Sequence, residues 1–494
     1  MRMRLCSRWV ISMRSRPRPR RLRAFIHRHG LTSGMSAPKS KLVLTFKVKK
    51  HIMSRSFPPD FLWGVAASAF QTEGAVHADG RGPSVWDVYS HTPGRTTNGD
   101  TADIACDHYH RYPEDIALMR GLGVKAYRLS TAWPRIFPSG SGQVNQRGLD
   151  FYDRVIDLAL HEGIEPWICL HHWDMPVAVE DNGGWRNRDT AKIFADYAAV
   201  ITRHFGDRVK RFAPINEPNV IPWVAYNVGR HAPGKQDYPS SLQAIHTLNL
   251  AHGYTVSAVR AEAPQAEVGN IVSLGPVRPH YDDAAHEEAR ILGDCLWRRV
   301  TVDPLWLGTY PEPIADAMQP FIQPGDMEAI SQKMDFFGLN HYNPVFVGPN
   351  ENTTFGVSET APPTGMGPLT DVNWVVDPAA FLEQIRDTSA RYGKPTIYIT
   401  ENGASYPDAL GPDRKVIDND RIAYFNGYLN ALLDALDEGH DIRGYFAWSL
   451  MDNFEWGRGY SKRFGLVYVD YPTLQRIPKQ SYHWLSGVIA ANAL

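Results

Sequence analysis

Two short β-like runs of this 494-residue chain end on carboxylates. The stretch "RFAPINEPNV" (211–220) leaves an apolar run through Asn216 and Glu217 and meets Pro218, and "TIYITENG" (396–403) ends on Glu401 and Asn402. A strand bound for the interior gains nothing from a polar tip unless the tip faces a cleft or a ligand. Two carboxyls held in opposite protonation states can act on the two sides of one bond. In glycosidic bond cleavage one carboxyl protonates the leaving oxygen while the other meets the positive anomeric carbon. A capping or ion-paired Glu at a strand end is the structural alternative for each.

Positioning these residues takes a scaffold, and the chain spells one out. From about residue 60, β-like runs alternate with helical ones: 61–68, 126–133, 165–173, 211–216, 267–274, 336–342, 396–400 and 445–450. Between them lie stretches such as "YPEDIALMRGLG", "GLDFYDRVIDLALHEG" and "DRIAYFNGYLNALLDALDEG", with apolar residues at i, i+3, i+4 spacing and a closing Gly. Eight such units suit an α/β fold, a closed (β/α)8 TIM barrel. An open doubly wound sheet would want a glycine-rich phosphate loop after its first strand, and none follows. Barrel enzymes keep their sites at the carboxyl ends of the strands. There the sequence sets Gln71 and Glu73, Arg128, His171 with His172 and Trp173, Asn216 with Glu217, Asn340 with Tyr342, Glu401, and Trp448 followed by Asp452, Glu455 and Trp456. Strands four and seven are three apart around the ring, so Glu217 and Glu401 face each other across the mouth. The segment 343–378, rich in Pro, Gly, Asn and Thr, reads as a long loop after the sixth strand.

Composition narrows the partners. With 43% hydrophobic and 11% aromatic residues the chain can bury a large core, and its 14 Trp and 22 Tyr could also line a pocket for sugar rings. The net charge of −1 hides an asymmetry: residues 1–59 hold 16 Lys and Arg and no acid, so the 52 basic residues less these leave 36 against 53 acidic ones, a net of −17. Such an acidic body argues against nucleic acid as a partner. No apolar run approaches the ~18–20 residues of a membrane span, which argues against a membrane. Residues 1–52 are expected to be a disordered basic extension, with three readings: a nucleic-acid arm, a transit-like segment, or translated sequence upstream of a start at Met53. Residues 53–494 are read as one catalytic domain. Cys6, Cys106, Cys169 and Cys295 follow no disulfide or zinc spacing, which fits a reducing, cytoplasmic compartment.

The motifs "INEP" (215–218) and "ITENG" (399–403) resemble those of the family 1 glycoside hydrolases, the β-glucosidase family. The resemblance covers residues 57–487 and includes "FLWGVAASAFQTEGA", "YRLSTAWPRI", "LHHWDMP", "FFGLNHY" and "WSLMDNFEWGRGYSKRFGLVYVDY". It implies a retaining enzyme with Glu217 as acid/base and Glu401 as nucleophile, the carboxyls roughly 5–5.5 Å apart. Glu217 is then expected to be held protonated by burial and by the charge of Glu401. Arg128 would keep Glu401 ionised, Tyr342 would donate to it, and Asn340 would order it. Asn216 would bond the sugar 2-hydroxyl. Gln71, His172, Glu455 and Trp456 would clamp the ring, Gln71 and Glu455 sharing the 3-, 4- and 6-hydroxyls, with Trp448 as an apolar platform. Trp173 and Phe464 are either sugar contacts or packing, while Glu73 and His171 are given structural places. Trp374, with "IPWVAYNVGRHAPG" (221–234), would shape the outer subsite.

The resemblance further implies no metal and no cofactor. Its substrates would be small β-glycosides or short β-linked oligosaccharides, glucosides above all, with tolerance for galactosides or fucosides. Glu455 would repel a 6-phosphate. Two rivals stand beside hydrolysis: a transglycosylating β-glycosidase, and a sugar-binding protein on the same fold without catalysis.

Overall fold

A computed structural model describes residues 55–494. The basic head expected over 1–52 lies outside the described residues, as does the choice among its readings. Eight parallel strands close a barrel: β1 (Leu62–Ala66), β2 (Ala126–Ser130), β3 (Glu165–His171), β4 (Arg211–Ile215), β5 (Glu267–Ser273), β6 (Phe336–Asn340), β7 (Ile397–Asn402) and β8 (Ile442–Ala447). Each pairs with its sequence neighbours, and β8 returns to β1 through Leu62 opposite Gly444 and Val65 opposite Ala447. Helices join consecutive strands on the outside, among them Gln146–His161, Thr190–Phe205 and Asn419–Asp437. In Gln146–His161 the residues Leu149, Tyr152, Val155, Ile156 and Ala159 are buried, the one-face spacing that seats a helix on a sheet. No helix among the described residues is long and apolar enough to cross a membrane.

The lower part of the barrel is filled. Trp167 packs against Phe336, Tyr398 and Phe446 at ring distances of 5.4, 4.8 and 4.9 Å, so large rings plug the end away from the site. Arg211 stands over Trp167 and is ion-paired with Glu165 and Glu267. The first and last described residues are tied to each other, Phe57 N–H donating to Asn492 O at 2.9 Å and Leu494 N–H to Arg55 O at 3.0 Å.

One sequence expectation is corrected here. The segment 343–378 is not loop throughout: Val345–Pro349 pairs antiparallel with Val357–Glu359 and parallel with Val277–Pro279, forming a small separate sheet. Its strands are short and interrupted by Pro and Gly, so period-two alternation never extends far enough to be read.

Candidate active site

Strand alternation and one irregularity bring Glu401 into the mouth. Along β7, Ile397 and Ile399 join the core under the helices, while Tyr398 belongs to the cluster inside the barrel. Strict alternation would therefore send residue 401 outward with them. The register of β7 shifts between Ile399 and Glu401 against β6, and between Ile399 and Asn402 against β8. A bulge of this kind re-aims a side chain, and Glu401 lies opposite Asn340, 3% exposed. Glu217 reaches the site by another device. Beyond β4 the Asn216 N–H bonds to His171 O at 2.8 Å and the Glu217 N–H to Ile271 O at 2.9 Å, with Glu217 at φ +50°. That left-handed value is sparsely populated for a residue with a β-carbon.

A continuous chain of hydrogen bonds joins the two carboxyls. Glu401 accepts from Arg128 on one oxygen and from the Tyr342 hydroxyl on the other. Arg128 also donates to Asn216 Oδ1 at 3.3 Å, the same oxygen that accepts from Asn340 Nδ2 at 3.3 Å. Asn340 Nδ2 donates in turn to Glu217 Oε1 at 2.8 Å. The structure adds to the expectation for Asn340: its amide also serves Glu217, and Thr400 Oγ1, donating to its carbonyl at 2.7 Å, fixes which way the amide points. The same amide's hydrogen bond also favours the charged form of Glu401.

The electrostatics follow. Burial, then the charge of Glu401, pushes Glu217 up to about 8, with Asn340 and Arg128 pulling the other way. Burial also raises Glu401, against which Arg128 and the Tyr342 hydroxyl both work. A direct ion pair and a phenol therefore stabilise charge on Glu401, whereas Glu217 has one amide. The surroundings thus favour the proton on Glu217 and the charge on Glu401.

Around this pair lies an aromatic wall. His172 stacks on Trp448 and on Trp456, each at 5.8 Å, and Trp456 stacks on Phe70 at 6.1 Å and 5°. Asn216 Nδ2 lies 3.0 Å from His172 Nε2; an amide N–H can only donate, so His172 carries its proton on Nδ1, which is buried and has no hydrogen-bond partner. Trp173 is anchored by its ring N–H to Asn216 O at 2.9 Å. Phe464, Tyr342 and Trp374 form a second aromatic group, Trp374 lying 5.2 Å from Tyr342 and 6.1 Å from Phe464. Burial raises Glu455 to about 7, with Arg458 opposing and Glu401 adding to the rise.

Gln71 is more constrained than expected. Both N–H groups are engaged, by Asn453 Oδ1 at 3.1 Å and Phe454 O at 2.9 Å, and Ser68 donates to Oε1 at 2.7 Å. A second lone pair on Oε1 is what remains for a ligand. Glu73 has the structural place assigned to it, accepting from Arg135 at 2.9 and 3.0 Å and from the Tyr152 hydroxyl at 2.6 Å. His171 is enclosed by Trp133, Trp185 and Phe194, the setting of a core histidine. Within 221–234, Tyr226 is buried on Glu180 and Trp223 donates to Leu296 O, so both have inward structural duties.

Sequence reasoning singled out neither of two residues, although the first lies in the segment 221–234 given to the outer subsite. His231 packs its ring on Trp173 at 5.2 Å and on Trp86 at 5.3 Å, backing the aromatic wall. Lys479 is wholly buried between Asp408 and Asp452. A lysine at the start of the last helix carries no local signal of burial.

Comparison with known proteins gives one consistent result. The family model described as Glycosyl hydrolase family 1 matches residues 53–494. The chain is 41% identical over 451 residues to Beta-glucosidase A of Thermotoga maritima, covering 89% of this chain and 99% of that one. It is 43% identical over 463 residues to a Bifunctional beta-D-glucosidase/beta-D-fucosidase of Bifidobacterium breve, with the same coverage of 89% and 99%. The solved family 1 β-glucosidase from Thermotoga maritima superposes with a TM-score of 0.85 at 41% identity over 89% of this chain and 100% of that one.

Proposed function

Since this chain belongs to glycosyl hydrolase family 1, we propose that it is a retaining β-glucosidase in which Glu217 is the acid/base and Glu401 the nucleophile. The observation that carries the reading is the unequal support of two joined carboxyls: Arg128 and Tyr342 on Glu401, a lone amide on Glu217. Glu401 attacks the anomeric carbon while Glu217 gives its proton to the departing oxygen, and the glycosyl ester forms on Glu401. Esterification removes the negative charge that had held the proton on Glu217. Glu217 becomes a stronger acid and its carboxylate takes a proton from water, which attacks the ester and releases the sugar with retained configuration.

Asn216 and the partnerless Nδ1–H of His172 supply donors to ring hydroxyls, Gln71 Oε1 and Glu455 supply acceptors, and Trp448 and Trp456 supply apolar surface. In this reading Trp374, packed on Tyr342 and Phe464, faces the leaving group, while Trp173 lies beside Trp456 on the sugar side. Glu455, with Glu401 near it, disfavours a 6-phosphate, so the substrate is an unphosphorylated glycoside or short oligosaccharide. A relative named for both glucosidase and fucosidase activity supports tolerance at the 6-position. We place the enzyme in the cytoplasm, since Cys106, Cys169 and Cys295 are free and buried, as suits a reducing compartment.

The test is turnover of an activated aryl β-glucoside by intact protein, Glu217→Ala and Glu401→Ala. Azide is expected to restore cleavage in both variants, yielding the β-azide with Glu217→Ala and the α-azide with Glu401→Ala. Rescue of neither, or the opposite anomers, would falsify the assignment.

A further inference from the structure

The loop after β8 carries Glu455, Trp456 and Phe464, and its geometry is set by charges buried beneath it. Asp452 pins both ends: Oδ1 accepts from the Gly465 N–H at 3.0 Å, Oδ2 from Arg463 at 2.6 Å, and its own N–H bonds to Val467 O at 2.9 Å. The two ends come so close that a β-carbon at Gly465 would lie 2.1 Å from the Asp452 nitrogen. Lys479 then ties Asp452 (2.7 Å) to Asp408 (2.5 Å) in the loop after β7, and Arg421 holds Asp408 at 2.7 Å and Asp418 at 2.5 Å. Asp452, Lys479 and Arg421 are fully buried.

Stability alone is a weak reason for such a chain, because stripping water from buried ions offsets most of their attraction and apolar replacements are often as stable. What charge adds is direction: each carboxylate oxygen has an assigned donor, so the loop has one seat.

We propose that the Asp452–Lys479–Asp408 chain is a positioning device that fixes Glu455 and Trp456 against the sugar's 4- and 6-hydroxyl edge, and thereby sets the preference for hexosides over pentosides. This inference rests on the proposed function, in which Glu455 meets that edge. Lys479 touches no substrate; it acts through the loop.

The test compares kcat/KM for an aryl β-glucoside and the matching β-xyloside, which lacks the hydroxymethyl group, in wild type, Lys479→Met, Glu455→Ala and the double variant. Loosening a hydrogen bond to a charged group corresponds to about 10- to 100-fold. The glucoside is expected to fall by that factor in Lys479→Met and the xyloside by about threefold or less. The added effect of Lys479→Met on the glucoside should shrink severalfold in the Glu455→Ala background, the remainder passing through Trp456. Equal declines on both substrates, or additive effects in the cycle, would overturn the proposal and leave Lys479 as mere framework. If Lys479→Met does not fold, Arg463→Met, which removes the outer partner of the same carboxylate, gives the same decision from the same ratio. A wild type that hydrolyses neither glycoside would refute the underlying function and this inference with it, an outcome distinct from an active wild type whose variants lose both substrates together.

Discussion

Replacing Glu401 with Gln removes one negative charge from beside Glu217 and leaves the shape of the site nearly intact. Glu217 stands at about 8, above its ordinary 4.5, first through burial and second through Glu401. With the carboxyls ~5 Å apart, as retention requires, and an effective dielectric constant of about 20, their repulsion is roughly 3 kcal/mol, equivalent to about two pH units. Arg128, bound to Glu401, cancels part of that field. The expected drop in the Glu217 pKa is therefore roughly one to two, bringing it to between about 6 and 7. Burial alone keeps it above the ordinary value. Infrared difference titration of the protonated carboxyl band measures this directly, with the Glu217→Gln/Glu401→Gln double variant as the blank. In wild type the same group should set the alkaline limb of kcat/KM. If Glu217 titrates in Glu401→Gln within about 0.3 of its wild-type value, the charge of Glu401 does not reach it. The acid-to-base switch proposed on glycosylation then loses its cause.

Three further outcomes are expected. Native Glu217 and Glu455 take up protons at higher pH than their unfolded counterparts, so the folded state binds more protons between about 4.5 and 8 and stability must fall as pH rises through that window. Glu217→Gln should accordingly be more stable than wild type at pH 7, on the order of 3 kcal/mol, and level with it below pH 4.5, read from thermal unfolding at the two values. Arg128→Met should lower kcat/KM for an aryl glucoside by about 10²–10³-fold by removing the fixed cation on Glu401, measured in steady state. Arg135→Met leaves Glu73 in the core with the Tyr152 hydroxyl as its remaining donor and should destabilise the fold by about 3–5 kcal/mol in denaturant titration.

The barrel was legible because each strand is a short apolar run between helical stretches of clear period, and seven of the eight runs begin within a residue of the observed strand. The exception is β8, read from Tyr445 although it begins at Ile442: an exposed Arg443 and a buried Gly444 mask its first half. Glu217 and Glu401 were legible as polar tips, since period and burial act through nearest neighbours. The bulge that turns Glu401 inward was not, because it exists only in the register with β6 and β8. Nor could local pattern reveal that Asn340 serves Glu217, a choice fixed by Thr400 on the neighbouring strand. The Asp408–Lys479–Asp452 chain joins residues from three separate segments, and each alone has the composition of a solvated charge.

The left-handed backbone at Glu217 changes how an acid-less version of this enzyme ought to be made. Alanine keeps the β-carbon that resists this conformation by roughly 1–2 kcal/mol while surrendering the carboxyl's tether to Asn340. Glycine sheds both, and with Pro218 following it leaves the turn restrained from one side. The usual ranking of the two small residues inverts at this one position. A glycine knockout is thus the gentler instrument for capturing an uncleaved ligand.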